Sequence, residues 1–139
     1  MERADSGSTV VVRCIDGEKL PDALLGLEIQ AAGVGPGIGM VRDLTLGYWD
    51  GKKYVEERVV EPVELLSLQG NLGDEDGKPI LHAHVVVGRR GGEAIGGHLL
   101  AATVHNTAEI ILVRLPGVRM ERRRDPTGLL GLHPRRVGG

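Results

Sequence analysis

The chain has no phenylalanine, one tryptophan (Trp49), two tyrosines (Tyr48 and Tyr54) and one cysteine (Cys14) in 139 residues. Its core must therefore be aliphatic, since 41% of the residues are hydrophobic and only 2% aromatic. The same scarcity argues against single-strand nucleic-acid binding, which stacks bases on aromatic platforms. One cysteine excludes an internal disulfide and suits a reducing, cytoplasmic setting. Following Val10-Val11-Val12-Arg13, Cys14 reads as a buried, inert thiol rather than a nucleophile. No apolar run approaches the roughly 20 residues that span a bilayer, and no basic start with an apolar run marks a leader. No membrane partner is expected.

Glycine, by contrast, is abundant: 22 residues, about twice the ordinary share, which points to tight turns and short strands. Thr9 to Ile15 reads as a strand. Leu20, Ala23, Leu24, Leu27 and Ala31 form a stripe at helical spacing, so a helix is predicted from about Leu20 to Ala32. The glycine-rich stretch Gly33 to Gly39 follows that helix instead of a strand and lacks a Gly-Lys-Ser/Thr ending. It is read as a flexible connector and not as a phosphate loop. Met40 to Trp49, Lys53 to Val60, Val63 to Leu72, Ile80 to Val87, Ala94 to Val104 and Thr107 to Leu115 read as strands, with Asp50-Gly51 a hairpin signal. The expected fold class is α+β: a curved, largely antiparallel sheet of about seven strands with one main N-terminal helix. One domain is expected over residues 9–130, with a flexible basic tail at 131–139.

His82 and His84 carry the most chemistry. Two residues apart on a strand, they project from one face with about 6.6 Å between Cα atoms. Imidazoles at that spacing can close on one ion at about 2.0–2.1 Å per nitrogen. His98, after Gly96-Gly97, supplies a third, and the trio is a template for a three-nitrogen metal site with an open position. The other reading is semi-buried histidines hydrogen-bonded to their neighbours. Both faces of Ile80 to Val87 are apolar apart from the histidines, so the strand is expected to be covered on both sides. His105 reads as a loop residue, and His133 receives no role.

Glu109 shares a face with Ile111 and Val113, where a carboxylate rarely sits without a partner. It could serve as a fourth ligand, an acceptor for an imidazole or a base on metal-bound water; the alternative is an ion pair with arginine. No serine sits in a nucleophile elbow and no Cys-x-x-Cys exists, so any enzymatic activity reduces to metal-assisted hydrolysis at the histidines. Between residues 114 and 139 seven arginines stand against Glu121 and Asp125, while the rest of the chain is acidic. Arg122, Arg123, Arg124, Arg135 and Arg136 are the candidate nucleic-acid contacts; the competing reading is a solvated terminus.

Taken in order, Ser67-Leu68-Gln69-Gly70-Asn71, Leu81-His82-Ala83-His84, Gly96-Gly97-His98-Leu99 and Thr107-Ala108-Glu109 resemble the PPC (plant and prokaryote conserved) domain. Gly17-Glu18, Leu46-Gly47-Tyr48 and Asp125-Pro126-Thr127-Gly128-Leu129 also fit, so the resemblance runs from about Val10 to Leu130. It implies a compact α+β domain assembled as a homotrimer, with zinc at His82, His84 and His98. Prokaryotic members of the family are described as DNA-binding, and plant members join the domain to minor-groove AT-hooks. This chain has no Arg-Gly-Arg-Pro core of that kind. The leading expectation is a zinc-bearing homotrimer acting as a DNA-associated or regulatory assembly module, in contact with DNA and other proteins. The alternatives are a metal-dependent hydrolase and a metal-free oligomeric scaffold.

Overall fold

Period-two alternation sets the structure from the first residues onward. Residues 1–138 are described by a computed structural model. In it β1 (Glu2–Ser6) pairs antiparallel with β2 (Thr9–Ile15), whose Val10, Val12 and Cys14 point inward while their neighbours face out. A two-residue β3 (Lys19–Leu20) leads into α1 (Asp22–Leu25), a single turn with no side-chain cap, seated by the buried Leu24.

The expected α+β class with a main N-terminal helix is overturned: the chain is nearly all strand, and α1 has only four residues. The helical stripe over Leu20 to Ala32 was misleading because it mixes two patterns. After Gly26 the chain leaves the helix through turn and bend residues before the strand that starts at Ala32, with Leu27, Ile29 and Ala31 buried and Glu28 and Gln30 exposed. Glu28 has a φ of 57°, which no continuing right-handed helix allows.

The glycine-rich stretch is likewise no connector. It opens β4 (Ala32–Trp49), an 18-residue strand paired with neighbours on both sides. Glycine serves close approach there: a Cβ on Gly39 would lie 2.2 Å from the Thr107 carbonyl oxygen, and the residue has a φ of 147°. The strand then turns at Asp50-Gly51 into β5 (Tyr54–Val59), as the hairpin signal indicates.

β6 (Val63–Glu75), β7 (Lys78–Gly88) and β8 (Ala94–Arg114) complete the body. Two of the predicted strands are one: β8 runs through His105 and Asn106, where Asn106 at φ 63° and a register shift against β4 mark a bulge. β4 pairs with β6, β6 with β7, β7 with β8 and β8 again with β4, so four strands form a closed antiparallel circuit. Inside it Leu24, Leu44, Leu68, Leu72, Ile110 and Leu112 are almost fully buried, which is the aliphatic core the composition demands.

Residues 118–136 add a last hairpin, β9 (Val118–Arg124) with β10 (Leu130–Arg136), joined to β6 by a parallel contact at Asp74 and Glu121. Residues expected in the tail thus lie in strand as far as Arg136; Gly139 lies outside the described residues. Among the described residues there are ten strands instead of about seven. Among the described residues no helix is long and apolar enough to cross a membrane.

Candidate metal centre

β7 presents its residues in two sets. Ala83, Val85 and Val87 are buried in the core, whereas His82 is half-buried and His84 and Val86 are exposed. The strand is therefore covered on one face only, and the histidines stand on the open one. β8 brings His98 directly opposite His84 in register, and β7–β8 pairing stops there, so the strands part beyond His84 and leave room beside His82. On the other side His82 lies opposite Asn71 of β6. A Cβ on Gly70 would sit 2.0 Å from the His82 carbonyl oxygen, so glycine is what lets β6 and β7 approach this closely.

The three rings converge. Centroid separations are 5.1 Å for His82–His84, 5.1 Å for His82–His98 and 5.4 Å for His84–His98. One nitrogen from each ring lies within 4.8 Å of the others. The Nε2 atoms of His82 and His84 are 3.3 Å apart. Two nitrogens bound tetrahedrally at about 2.0–2.1 Å to one ion stand roughly 3.3–3.4 Å apart, so this edge already has the dimension of a zinc site. His98 Nδ1 is buried with no partner. Tyr54 stacks on the His98 ring at 4.7 Å, and Trp49 meets Tyr54 edge-on at 5.3 Å, which holds that imidazole in place.

The surroundings of His82 and His98 favour the neutral form of those two rings. Burial pushes the His82 pKa down to about 4, helped by the positive charge of Arg122 and by His98 and His84. Burial also lowers that of His98, followed by His84 and Arg122. At neutral pH both rings therefore offer a lone pair, as ligation requires. Arg122, only 6% exposed, donates to the Leu130 carbonyl at 3.0 Å and to Asn71 Oδ1 at 2.6 Å, and approaches His82 Nδ1 at 3.1 Å. Beside the triad a cavity of about 480 Å³ is lined by Trp49, Tyr54, His82, His98, Arg122 and Leu129, among others.

Other sequence candidates lie elsewhere. Glu109 is exposed, opposite Arg13 of β2 and Ile38 of β4, eleven residues along β8 from His98. It is not part of the histidine group. Arg123 and Arg135 both reach Glu121, at 2.7 and 3.5 Å, and Arg124 donates to the Gly128 carbonyl at 2.6 Å. Arg136 is exposed, while Arg122 is buried beside the histidines. Reading the sequence alone missed Arg122, Asn71, Tyr54 and Trp49 as neighbours of the triad. One sign was legible: Arg122 has the strand parity of Val118 and Met120, a cation on the apolar side of β9.

Comparison with known proteins gives a consistent result. The profile of the Plants and Prokaryotes Conserved (PCC) domain matches residues 1–116. A plant- and prokaryote-conserved (PPC) protein of Pyrococcus horikoshii is 33% identical, covers 94% of each chain and superposes with a TM-score of 0.84. A metal-containing protein of Archaeoglobus fulgidus is 37% identical over 93% of this chain and 95% of its own, at a TM-score of 0.81. A protein of Bacteroides thetaiotaomicron, described as a candidate for DNA binding, is 26% identical over 95% and 96%, at a TM-score of 0.87. No curated protein matches the chain in sequence.

Proposed function

Since this chain belongs to the Plants and Prokaryotes Conserved (PCC) domain family, we propose that it is a metal-binding, self-assembling module whose His82, His84 and His98 hold one zinc ion. The observation that carries the reading is the 3.3 Å approach of two imidazole nitrogens, with a third within 4.8 Å and a buried orphan atom on His98. Neutral imidazoles suit zinc and its neighbours in the first transition row and bind magnesium or calcium poorly. The metal-containing relative supports the assignment. Held by three protein nitrogens, the ion would keep a coordination position for a further ligand and would supply Lewis acidity to it. Hydrolysis with Glu109 as base draws no support from where that residue lies.

Assembly as a homotrimer is supported by an exposed apolar strip on the outer side of β2, β8 and β4. Val11 and Ile111 pair across it, with Val113 and Ile38 adjoining, all at least a third exposed. Side chains of this kind lose free energy when a second copy covers them. DNA association is a second reading, favoured by the outward arginines Arg123, Arg124, Arg135 and Arg136 and by the description of the Bacteroides relative. Glu121 already neutralises part of that surface, so it would rely on several copies acting together.

Metal content per chain, measured on protein purified without a histidine tag, tests the central reading. About one zinc per wild-type chain is expected, with loss in His84→Ala, whose exposed side chain leaves the core intact. Metal-free protein of both kinds, even after dialysis against zinc, would overturn it.

A further inference from the structure

The cavity next to the triad contains an unusual group for a protein interior, a buried arginine with no carboxylate partner among the described residues. Arg122 is 6% exposed, and its contacts are the Leu130 carbonyl, Asn71 Oδ1 and His82 Nδ1, all uncharged. Two of a guanidinium's five N–H donors are thus engaged by oxygen atoms, a third faces His82 Nδ1 and finds an acceptor there only in the tautomer protonated at Nε2, and Nε, buried, has no partner among the described residues. Burying a cation without an anion is strongly unfavourable, and arginine forms bidentate pairs with carboxylates better than any other side chain.

The walls indicate what would complete it. Trp49 and Tyr54 contribute aromatic surface, and Leu81, Leu129 and Leu130 aliphatic surface. At about 480 Å³ the space lies in the range of small-molecule sites, roughly 300–1,000 Å³. Two further charges line it: Arg124, whose guanidinium donates to Gly128, and Asp125, which accepts from the Thr127 backbone and hydroxyl. These two offset one another, so in the metal-free chain the cavity's unbalanced charge is the single one on Arg122. A monoanion matches it, whereas a phosphate dianion would face Asp125.

We propose that this cavity binds a small organic monocarboxylate, with Arg122 as its charge partner and Trp49 and Tyr54 packing against a flat apolar body. The site uses Arg122 and the cavity; it shares His82 and His98 with the metal reading but does not depend on a bound ion.

Because Trp49 is the only tryptophan and lines this cavity, tryptophan fluorescence excited apart from the tyrosines reports on it. Benzoate is titrated into the full chain in EDTA and again with saturating zinc, beside neutral benzamide and dianionic phenyl phosphate. Saturable change with benzoate in EDTA, about tenfold or more tighter than benzamide and abolished in Arg122→Gln, is the expected result. Arg122→Lys, which keeps the charge but not the fork, should recover part of the affinity. Equal binding of benzamide, tighter binding of phenyl phosphate, or no response to benzoate overturns the proposal in wild-type protein, whatever the variants do. Benzoate binding that needs zinc and survives Arg122→Gln also overturns it, while leaving the metal site standing. Binding in EDTA by a chain that takes up no zinc would sink the metal reading and keep this one.

Discussion

Acidifying the EDTA-treated protein from pH 7.5 to 4.5 probes the triad's surroundings directly, because one ring there has a displaced proton affinity. Burial brings His82 from 6.5 to about 4, with the Arg122 charge acting in the same direction. The folded pKa is the lower one, so on acidification the unfolded chain takes up the proton first. Stability from this source is complete above about pH 6.5, falls through the interval below it, and stops falling near pH 4, where the folded ring protonates as well. A displacement of that size at about 1.4 kcal/mol per pH unit sets a ceiling near 3 kcal/mol; solvent reaching the half-buried ring reduces it to about 1–2 kcal/mol. His98, lowered for the same reason, adds to the effect. The carboxylates of Asp16, Asp74 and Glu121 are held below their usual range by Arg42, Arg119 and Arg123, so their contribution is lost only in stronger acid. The assay is urea unfolding at pH 7.5, 6.5, 5.5 and 4.5 for wild type and His82→Gln. Wild type should lose about 1–2 kcal/mol more than the variant across this range. Parallel declines would refute the account of His82 as a desolvated ring beside a buried cation.

Under the proposed trimeric assembly, Val11→Asp places a charge on the exposed strip without touching the core, so sedimentation should show trimeric wild type and a variant shifted toward monomer with an unchanged far-UV spectrum. An unaltered trimer would locate the subunit contact elsewhere. Gly70→Ala would drive a Cβ to within 2.0 Å of the His82 carbonyl, separating β6 from β7; a loss of about 1–3 kcal/mol in urea unfolding and weaker zinc retention are expected. Unchanged stability would mean that the strands part without strain. DNA binding, measured by fluorescence anisotropy, should weaken steeply with salt and fall in Arg124→Glu/Arg136→Glu; no binding even at low salt would remove that reading.

Where one physical rule governs a segment, the sequence was readable. The Asp50-Gly51 hairpin, the β-branched β2 and the aliphatic core follow from turn chemistry, alternation and composition, and all appear in the structure. The failures came where two periodicities overlap. Leu20, Leu24 and Leu27 fall at helical spacing, but Leu27, Ile29 and Ala31 alternate, and the strand environment around β4 prevails over a helical turn flanked by Gly26. Gly33 to Gly39 was misjudged because glycine ordinarily weakens a strand. Here neighbouring backbones pass too close for a Cβ, a fact that only the paired strands reveal. The triad fared better. Spacing alone places His82 and His84 on one face, and adding His98 required only that β7 and β8 be neighbours.

Glu109 and Arg122 show why polar residues on apolar strands defeat local reading. Both stand among hydrophobic residues of the same parity, and parity says nothing about which face is covered. Around Glu109 the face is not covered by the chain's own fold, so the carboxylate stands beside Arg13 without an apolar layer over it. Around Arg122 the β9–β10 hairpin folds against β6, with the guanidinium reaching His82 of β7, and the same kind of residue becomes a buried cation fixed by Leu130 and Asn71. Local rules are broken most often where function requires it. By that criterion the informative polar residue is Arg122: it retains an unmatched charge beside three converging imidazoles and an apolar cavity, a combination that packing alone does not call for.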